Sequence, residues 1–155
     1  MLAVASSVKM TAIAGLSLAL AACVSQQEKT SGNVRVINDN PGGVLVNYAI
    51  TRLDLQERGS QVRFAGYCDS ACTLLLALPN NKLCVEPSAS FGFHRPYGST
   101  KRGNKEAERY LVSQYPEWVK TWISSQGGLQ DEINRMPFEK VSAHIRPCPT
   151  KSSSR

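Results

Sequence analysis

From residue 34 onwards, short β-type runs and helix-type runs alternate along the chain. Apolar and polar residues alternate, or a short apolar run is bounded by turn residues, in four segments that we predict as strands: Val34–Ile37, Gln61–Ala65, Lys82–Val85 and Ser90–His94. Apolar residues recur with a helical period, or fill a longer run, in four others: Val44–Arg58, Ala71–Leu78, Asn104–Gln126 and Leu129–Met136. Strands and helices in this order favour parallel pairing with right-handed crossovers, so the pattern predicts an α/β fold.

Three turns follow predicted strands and should meet at one edge of the sheet. They are Asn38–Gly43, Gly66–Cys72 and His94–Pro96. Because ligands of such sheets bind beyond the carboxyl ends of the strands, we expect residues far apart in sequence to converge there on one site.

The Asn104–Gln126 segment is amphipathic, and its apolar face carries aromatic residues. We predict that these residues belong to the core rather than to a ligand site: Leu111, Tyr115, Trp118, Val119, Trp122 and Ile123. Pro116 either kinks this helix or starts a second one.

The N-terminus has the pattern of an export signal. Lys9 is its only charge, and the apolar run Thr11–Leu20 is too short to span a bilayer. The residues from Leu20 to Cys23 (LAAC) resemble the lipobox of bacterial lipoproteins, in which the cysteine is lipidated and becomes the new N-terminus. An ordinary secretory signal that contains a cysteine is the alternative. Val24 stands where an aspartate would indicate the inner membrane, which favours an outer-membrane lipoprotein facing the periplasm.

These patterns divide the 155-residue chain into four parts. We predict a signal peptide over 1–22, a lipidated tether over 23–32, one domain over 33–149 and a disordered tail over 150–155. The net charge of +6 is spread along the chain with acidic residues interleaved. The one dense basic stretch (Arg95, Lys101, Arg102 and Lys105) is typical of a solvated loop, and an exported protein is not expected to bind nucleic acid.

Four cysteines remain once Cys23 is assigned to the lipid. In an oxidising compartment an even number suggests two disulfides, with three connectivities. We predict the pairs Cys68–Cys72, which flank a tight turn, and Cys84–Cys148. A zinc site is the rival interpretation, but the chain has no CxxC pair and only His94 and His144 could join the cysteines, so no metal site is predicted.

One group of residue types matches the requirements of acyl transfer: a nucleophile, a base and N–H donors for the oxyanion. Ser70 lies where a strand-like run becomes a helix, which would present its hydroxyl at the positive end of the helix. His94 can serve as the base, and Gly42 and Gly43 can offer unobstructed backbone N–H groups. Taken singly, each has a plainer explanation: a helix-capping serine, a strand-end histidine and a glycine turn.

Three segments resemble the proteolytic subunit of Clp protease. Residues 37–43, which contain Ile-Asn followed by Pro-Gly-Gly, are similar to its INSPGG segment. The Gly66–Ala71 turn is similar to its nucleophile turn, and Phe93–Pro96 to its HQP strand end. The Cys-x-Ser-Ala-Cys turn is closer still to exported Clp-protease-like proteins of bacteria.

The resemblance implies a ClpP/crotonase-type β-superhelix of repeated ββα units, here small and truncated. It implies Ser70 as nucleophile, His94 as general base, and Gly43 with the Ala71 N–H as the oxyanion hole. It also implies hydrolysis of peptides or unfolded polypeptides without a metal or other cofactor, and allows a homo-oligomer.

Two features depart from that family. Its histidine-orienting aspartate has no counterpart in Val141–Cys148, and neither Asp131 nor Glu139 lies in a matching motif. An exported protein would also lack an ATP-driven unfoldase, and the short chain makes ring assembly an open question. The sequence therefore leaves three hypotheses: a lipid-anchored, ATP-independent serine peptidase, a catalytically impaired peptide-binding module, and a structural envelope lipoprotein.

Overall fold

The computed structural model describes residues 33–149. The predicted signal peptide, the lipidation site at Cys23, the tether and the tail lie outside the described residues. The strands are β1 (Val34–Ile37), β2 (Gln61–Phe64), β3 (Tyr67–Asp69), β4 (Leu83–Val85), β5 (Ser90–Phe93) and β6 (Asn134–Pro137). The α-helices are α1 (Leu45–Glu57), α2 (Lys101–Gln114), α3 (Glu117–Ser125) and α4 (Phe138–Val141). Two 3₁₀ helices cover Ser70–Ala77, called the central helix below, and Asn80–Lys82.

The described strands form two three-stranded sheets. One has the order β1-β2-β4 and is wholly parallel, whereas the other has the order β3-β5-β6, with β3 parallel and β6 antiparallel to β5. Two pairs of consecutive strands are divided between the sheets: β2 and β3, which precede the central helix, and β4 and β5, which precede α2. This is the predicted α/β architecture of repeated ββα units.

The central helix lies in the core of the domain. Its residues Ala71–Leu76 are all buried, and it packs against α1, α2 and β5. Phe64 of the first sheet meets Phe91 of the second edge-to-face, with ring centroids 4.8 Å apart. The apolar face predicted for the long helical segment also packs here, since Val119 is fully buried.

Three elements differ from the sequence-based predictions. Leu129–Met136 was expected to be helical, but Asn134–Pro137 is a strand because it pairs with β5 and places Met136 in the core opposite Phe91. The three-residue strand β3 was not predicted at all. The third is the long helical segment, which begins at Lys101 rather than Asn104 because Thr100 caps α2. Pro116 starts a second helix as the N-cap of α3, which is one of the two predicted alternatives.

Both predicted disulfides are present, Cys68–Cys72 and Cys84–Cys148. The four cysteines of the rival zinc interpretation are thus bonded to one another. Among residues 33–149, no three His, Cys, Asp or Glu side chains are grouped so as to hold a metal ion. Within the same range, no helix has the length and apolar character needed to cross a membrane.

Candidate active site

Ser70 is the first residue of the central helix and lies in a strained turn directly after β3. Its φ angle is 55°, and it is the one residue other than glycine with a positive φ in the described part of the chain. The left-handed conformation costs an L-residue about 1–2 kcal/mol, so the surrounding structure must hold it. A strained serine between a strand and a helix is typical of nucleophiles of hydrolases.

A chain of hydrogen bonds holds the carbonyl group of Ser70. The Thr73 hydroxyl donates to this carbonyl at 2.6 Å, so the Tyr115 hydroxyl must donate to Thr73 Oγ1 across their 2.5 Å contact. Burial raises the pKa of Tyr115 well above its ordinary value, which keeps its phenol protonated as this donor. The Cys68–Cys72 disulfide brackets the same turn.

The loop after β1 is docked onto β3 through Asn40. The Asn40 N–H donates to the Tyr67 carbonyl, and the Asp69 N–H donates to the Asn40 carbonyl, each at 2.8 Å. The Asn40 Oδ1 atom in turn accepts from the Gly42 N–H at 2.9 Å and from the Tyr48 hydroxyl at 2.6 Å. The loop is therefore fixed on both sides, beside the Ser70 turn.

The two loop glycines have different surroundings. A Cβ atom on Gly42 would lie 2.5 Å from the Asp69 carbonyl oxygen and 2.7 Å from Ser70 Cβ, so the loop fits the turn only without a side chain there. Gly43 faces open space, with no atom within 4 Å of its Cβ position. Since the Gly42 N–H is taken by Asn40, Gly43 is the glycine that can offer its N–H to a ligand. Ala71 follows Ser70 at the start of the central helix, where N–H groups lack intrahelical acceptors.

His94 follows β5 directly and is buried, with 6% of its surface exposed. Its Nδ1 atom lies 2.7 Å from the Arg95 carbonyl oxygen. Because a carbonyl oxygen can only accept, Nδ1 carries a proton in this contact, so in the corresponding tautomer Nε2 keeps the lone pair. The Arg95 N–H is itself bound to the Gln130 carbonyl at 2.7 Å, which fixes the backbone that holds the ring.

Neither of the two acidic residues considered from the sequence forms a hydrogen bond with His94. Asp131 lies 3.4 Å from the Arg95 guanidinium, and both side chains are exposed. Glu139 lies in the short helix α4, and no hydrogen bond joins it to His94. Among residues 33–149, the partner of Nδ1 is thus a backbone carbonyl in place of a carboxylate.

The residues singled out from the sequence line one cavity of about 550 Å³. They are Gly42, Gly43, Ser70, Ala71 and His94. Apolar residues that also line this cavity include Val44, Leu45, Ala107 and Leu111. Within the described residues no direct hydrogen bond joins the Ser70 hydroxyl to the His94 ring, although both open onto this space; such bonds often tighten only when substrate binds.

Solved structures of ClpP proteases have a similar fold. The ClpP protease catalytic domain from Plasmodium falciparum matches with a TM-score of 0.57 and 17% identity, over 77% of this chain and 72% of that one. The chain has a ClpP-type fold. A ClpP1 mutant from Listeria monocytogenes matches with a TM-score of 0.42 and 13% identity, over 74% of this chain and 71% of that one. No protein-family model matches the sequence, and no curated protein matches it significantly.

At this identity the comparison shows the fold, and it confirms the predicted ClpP-like α/β class. Sequence reasoning missed the supporting roles of Asn40, Thr73 and Tyr115, which hold the backbone around the candidate site. Asn40 precedes Pro-Gly-Gly, a setting that is typical of an asparagine whose side chain accepts a backbone N–H two residues on. Thr73 and Tyr115 are 42 residues apart, and no local signal marks their contact.

Proposed function

We propose that this protein is a serine hydrolase, a peptidase that acts on peptides or unfolded polypeptides without ATP. The observation that carries the proposal is the juxtaposition in one cavity of a strained serine and a buried histidine whose Nε2 is free to accept a proton. The ClpP-type fold supports the reaction class.

In the proposed reaction, His94 Nε2 accepts the Ser70 proton while Ser70 Oγ attacks the peptide carbonyl carbon. The resulting oxyanion accepts hydrogen bonds from the Gly43 and Ala71 N–H groups. Collapse expels the amine, which takes the proton from His94, and leaves an ester on Ser70. Water then attacks this ester with His94 again as base, which restores the free hydroxyl. The Arg95 carbonyl keeps the imidazole in the correct tautomer throughout.

A fluorophosphonate probe tests this proposal on the purified full-length protein. We expect a covalent adduct, in which a bond forms from Ser70 Oγ to phosphorus and fluoride leaves, and we expect none with Ser70→Ala. Ser124→Ala is the matched control, because it also removes a serine hydroxyl but lies in α3 and does not line the cavity. An unlabelled native protein, or labelling that survives Ser70→Ala, would contradict the proposal.

A peptide-binding module that lacks efficient catalysis is the second candidate. It is favoured by one observation: within residues 33–149, no carboxylate bonds to His94. Loss of the orienting acid lowers turnover by about 10⁴ in serine proteases. Under this alternative a peptide would still occupy the cavity, but the probe would not label Ser70.

We also propose that Cys23 is lipidated and holds the protein at the outer membrane facing the periplasm, with the lipobox-like sequence as support. Each buried methylene adds about 0.8 kcal/mol to membrane affinity, so several acyl chains anchor a protein firmly. Cys23→Ala is expected to move the protein from the membrane fraction to the soluble fraction on cell fractionation. If the variant stays in the membrane fraction, lipid anchoring at Cys23 is wrong.

A homo-oligomer remains part of the proposal. Helix α1 carries the exposed apolar side chains Val46, Ile50 and Leu53, which recur at helical spacing. They form an apolar face that a second copy of the protein could cover.

A further inference from the structure

Asp69, the residue immediately before Ser70, carries a buried carboxylate that the proposed reaction does not use. Its side chain is 5% exposed. A charge in such a place costs free energy unless it is paired and hydrogen-bonded. A buried charge beside a candidate nucleophile therefore needs an explanation of its own.

The partner of Asp69 is Arg135 on β6, 66 residues further along the chain. Arg135 Nη1 donates to Asp69 Oδ1 at 2.8 Å, and Nη2 donates to Oδ2 at 2.6 Å. This is the bidentate geometry that arginine, but not lysine, can form with a carboxylate. The guanidinium also lies over the Tyr67 ring, 5.2 Å from its centroid, so the position of Arg135 is defined on two sides.

The ion pair crosses over the middle strand of the sheet. Asp69 pairs in register with Gly92, and Gly92 pairs in register with Arg135, although β3 and β6 are not neighbours. The two side chains meet above Gly92 because glycine has no side chain there: a Cβ atom would lie 2.3 Å from Asp69 Oδ1. Gly92 stands two residues before His94, so the pair joins β3, which leads into Ser70, to β6 across β5, the strand that leads into His94.

We propose that the Asp69–Arg135 ion pair, passing over Gly92, is a positioning device that holds Ser70 in its left-handed conformation beside His94. Both carboxylate oxygens of Asp69 are fixed, so the backbone entering Ser70 has little freedom to relax toward an ordinary helical φ. The catalytic part of this inference rests on the proposed role of Ser70 as nucleophile. Asp69 and Arg135 are positioning residues, since neither lines the cavity.

Arg135→Gln tests the inference because a positioning role should change kcat much more than KM. We expect kcat for a peptide ester to fall about 10-fold to 100-fold, the range that follows from small misplacement of reacting groups, with KM changed less than about twofold. Arg135→Lys should have a kcat between those of Arg135→Gln and the native protein, because an ammonium cannot form the bidentate contact. The double variant Asp69→Asn/Arg135→Gln removes both charges and leaves no unpaired buried carboxylate. Its kcat should fall by a similar factor, and it replaces the single variant in this test if that variant does not fold.

The matched control is Arg63→Gln. Arg63 also forms a part-buried ion pair, with Glu86, but in the other sheet. Its removal should lower the melting temperature by a comparable amount and leave kcat within about twofold of the native value. If Arg135→Gln and Arg63→Gln have equal kcat, the ion pair has no positioning role and the inference is overturned.

A readout independent of activity separates this inference from the proposed function. Crystal structures of the native protein and of a folded ion-pair variant give the φ angle of Ser70 in each. A shift of Ser70 out of the left-handed region in the variant supports the inference, whereas an unchanged turn overturns it. Failure of the native protein to react with a fluorophosphonate contradicts the proposed function alone.

Discussion

Replacing His94 with glutamine is expected to reduce hydrolysis of a peptide ester by about 10² to 10⁴, the usual contribution of a general base. Glutamine is close to histidine in size and can still donate to the Arg95 carbonyl, so the packing of this buried position changes little. It cannot accept the serine proton, which is the function proposed for Nε2. Steady-state kinetics should show the loss in kcat/KM, and the rate of fluorophosphonate labelling should fall with it.

His144→Gln provides the control for this experiment. His144 also carries an imidazole, but its ring stacks on Trp118 with centroids 4.7 Å apart, and it does not line the cavity. Turnover by the His144 variant should match that of the native protein. Equal activity of the native protein and the His94 variant would exclude His94 as the base.

Gly42→Ala should be the most destabilising single-methyl addition in the loop after β1. The new Cβ atom would lie 2.5 Å from the Asp69 carbonyl and 2.7 Å from Ser70 Cβ, and the residue has a φ of +83°. Strain and overpacking each cost about 1–3 kcal/mol, so we expect the free energy of unfolding to fall by about 3 kcal/mol. Urea unfolding measures this loss, and probe labelling of the folded fraction should fall as the Ser70 turn is displaced.

Gly128→Ala separates the two causes. Gly128 has a similar φ of +91°, but no atom lies within 4 Å of its Cβ position. Its replacement should therefore cost only the conformational penalty of about 1 kcal/mol. If both variants lose the same stability, close packing of the loop against Ser70 is not what requires glycine at position 42.

The sequence pattern was sufficient for most elements and for the members of the candidate site. Val34–Ile37 and the α1 segment follow from periodicity alone, because their apolar positions repeat locally. β6 could not be recognised: Asn134–Pro137 contains a single buried residue, Met136, and is a strand only because β5 lies beside it. A strand that forms because a neighbouring strand pairs with it has little recognisable pattern in its own sequence.

The support of the site was harder to predict than its members. His94 is oriented by the carbonyl of Arg95, and every residue has a carbonyl, so the side-chain sequence does not mark this contact. The Asp69–Arg135 pair depends on register across three strands, which follows only once β3 and β6 are known. A search for an acidic residue in sequence therefore could not find the actual hydrogen-bond acceptor.

The Cys84–Cys148 disulfide has a consequence for association between molecules. It holds the C-terminal segment along β4, where Val85 donates to the Arg146 carbonyl and accepts from the Cys148 N–H. That segment therefore occupies the outer backbone groups of Val85, which would otherwise form an open border of the β1-β2-β4 sheet. Unprotected borders of this kind recruit strands from other chains. By holding this segment in place, the disulfide hinders the β4 edge from pairing with a strand of another molecule.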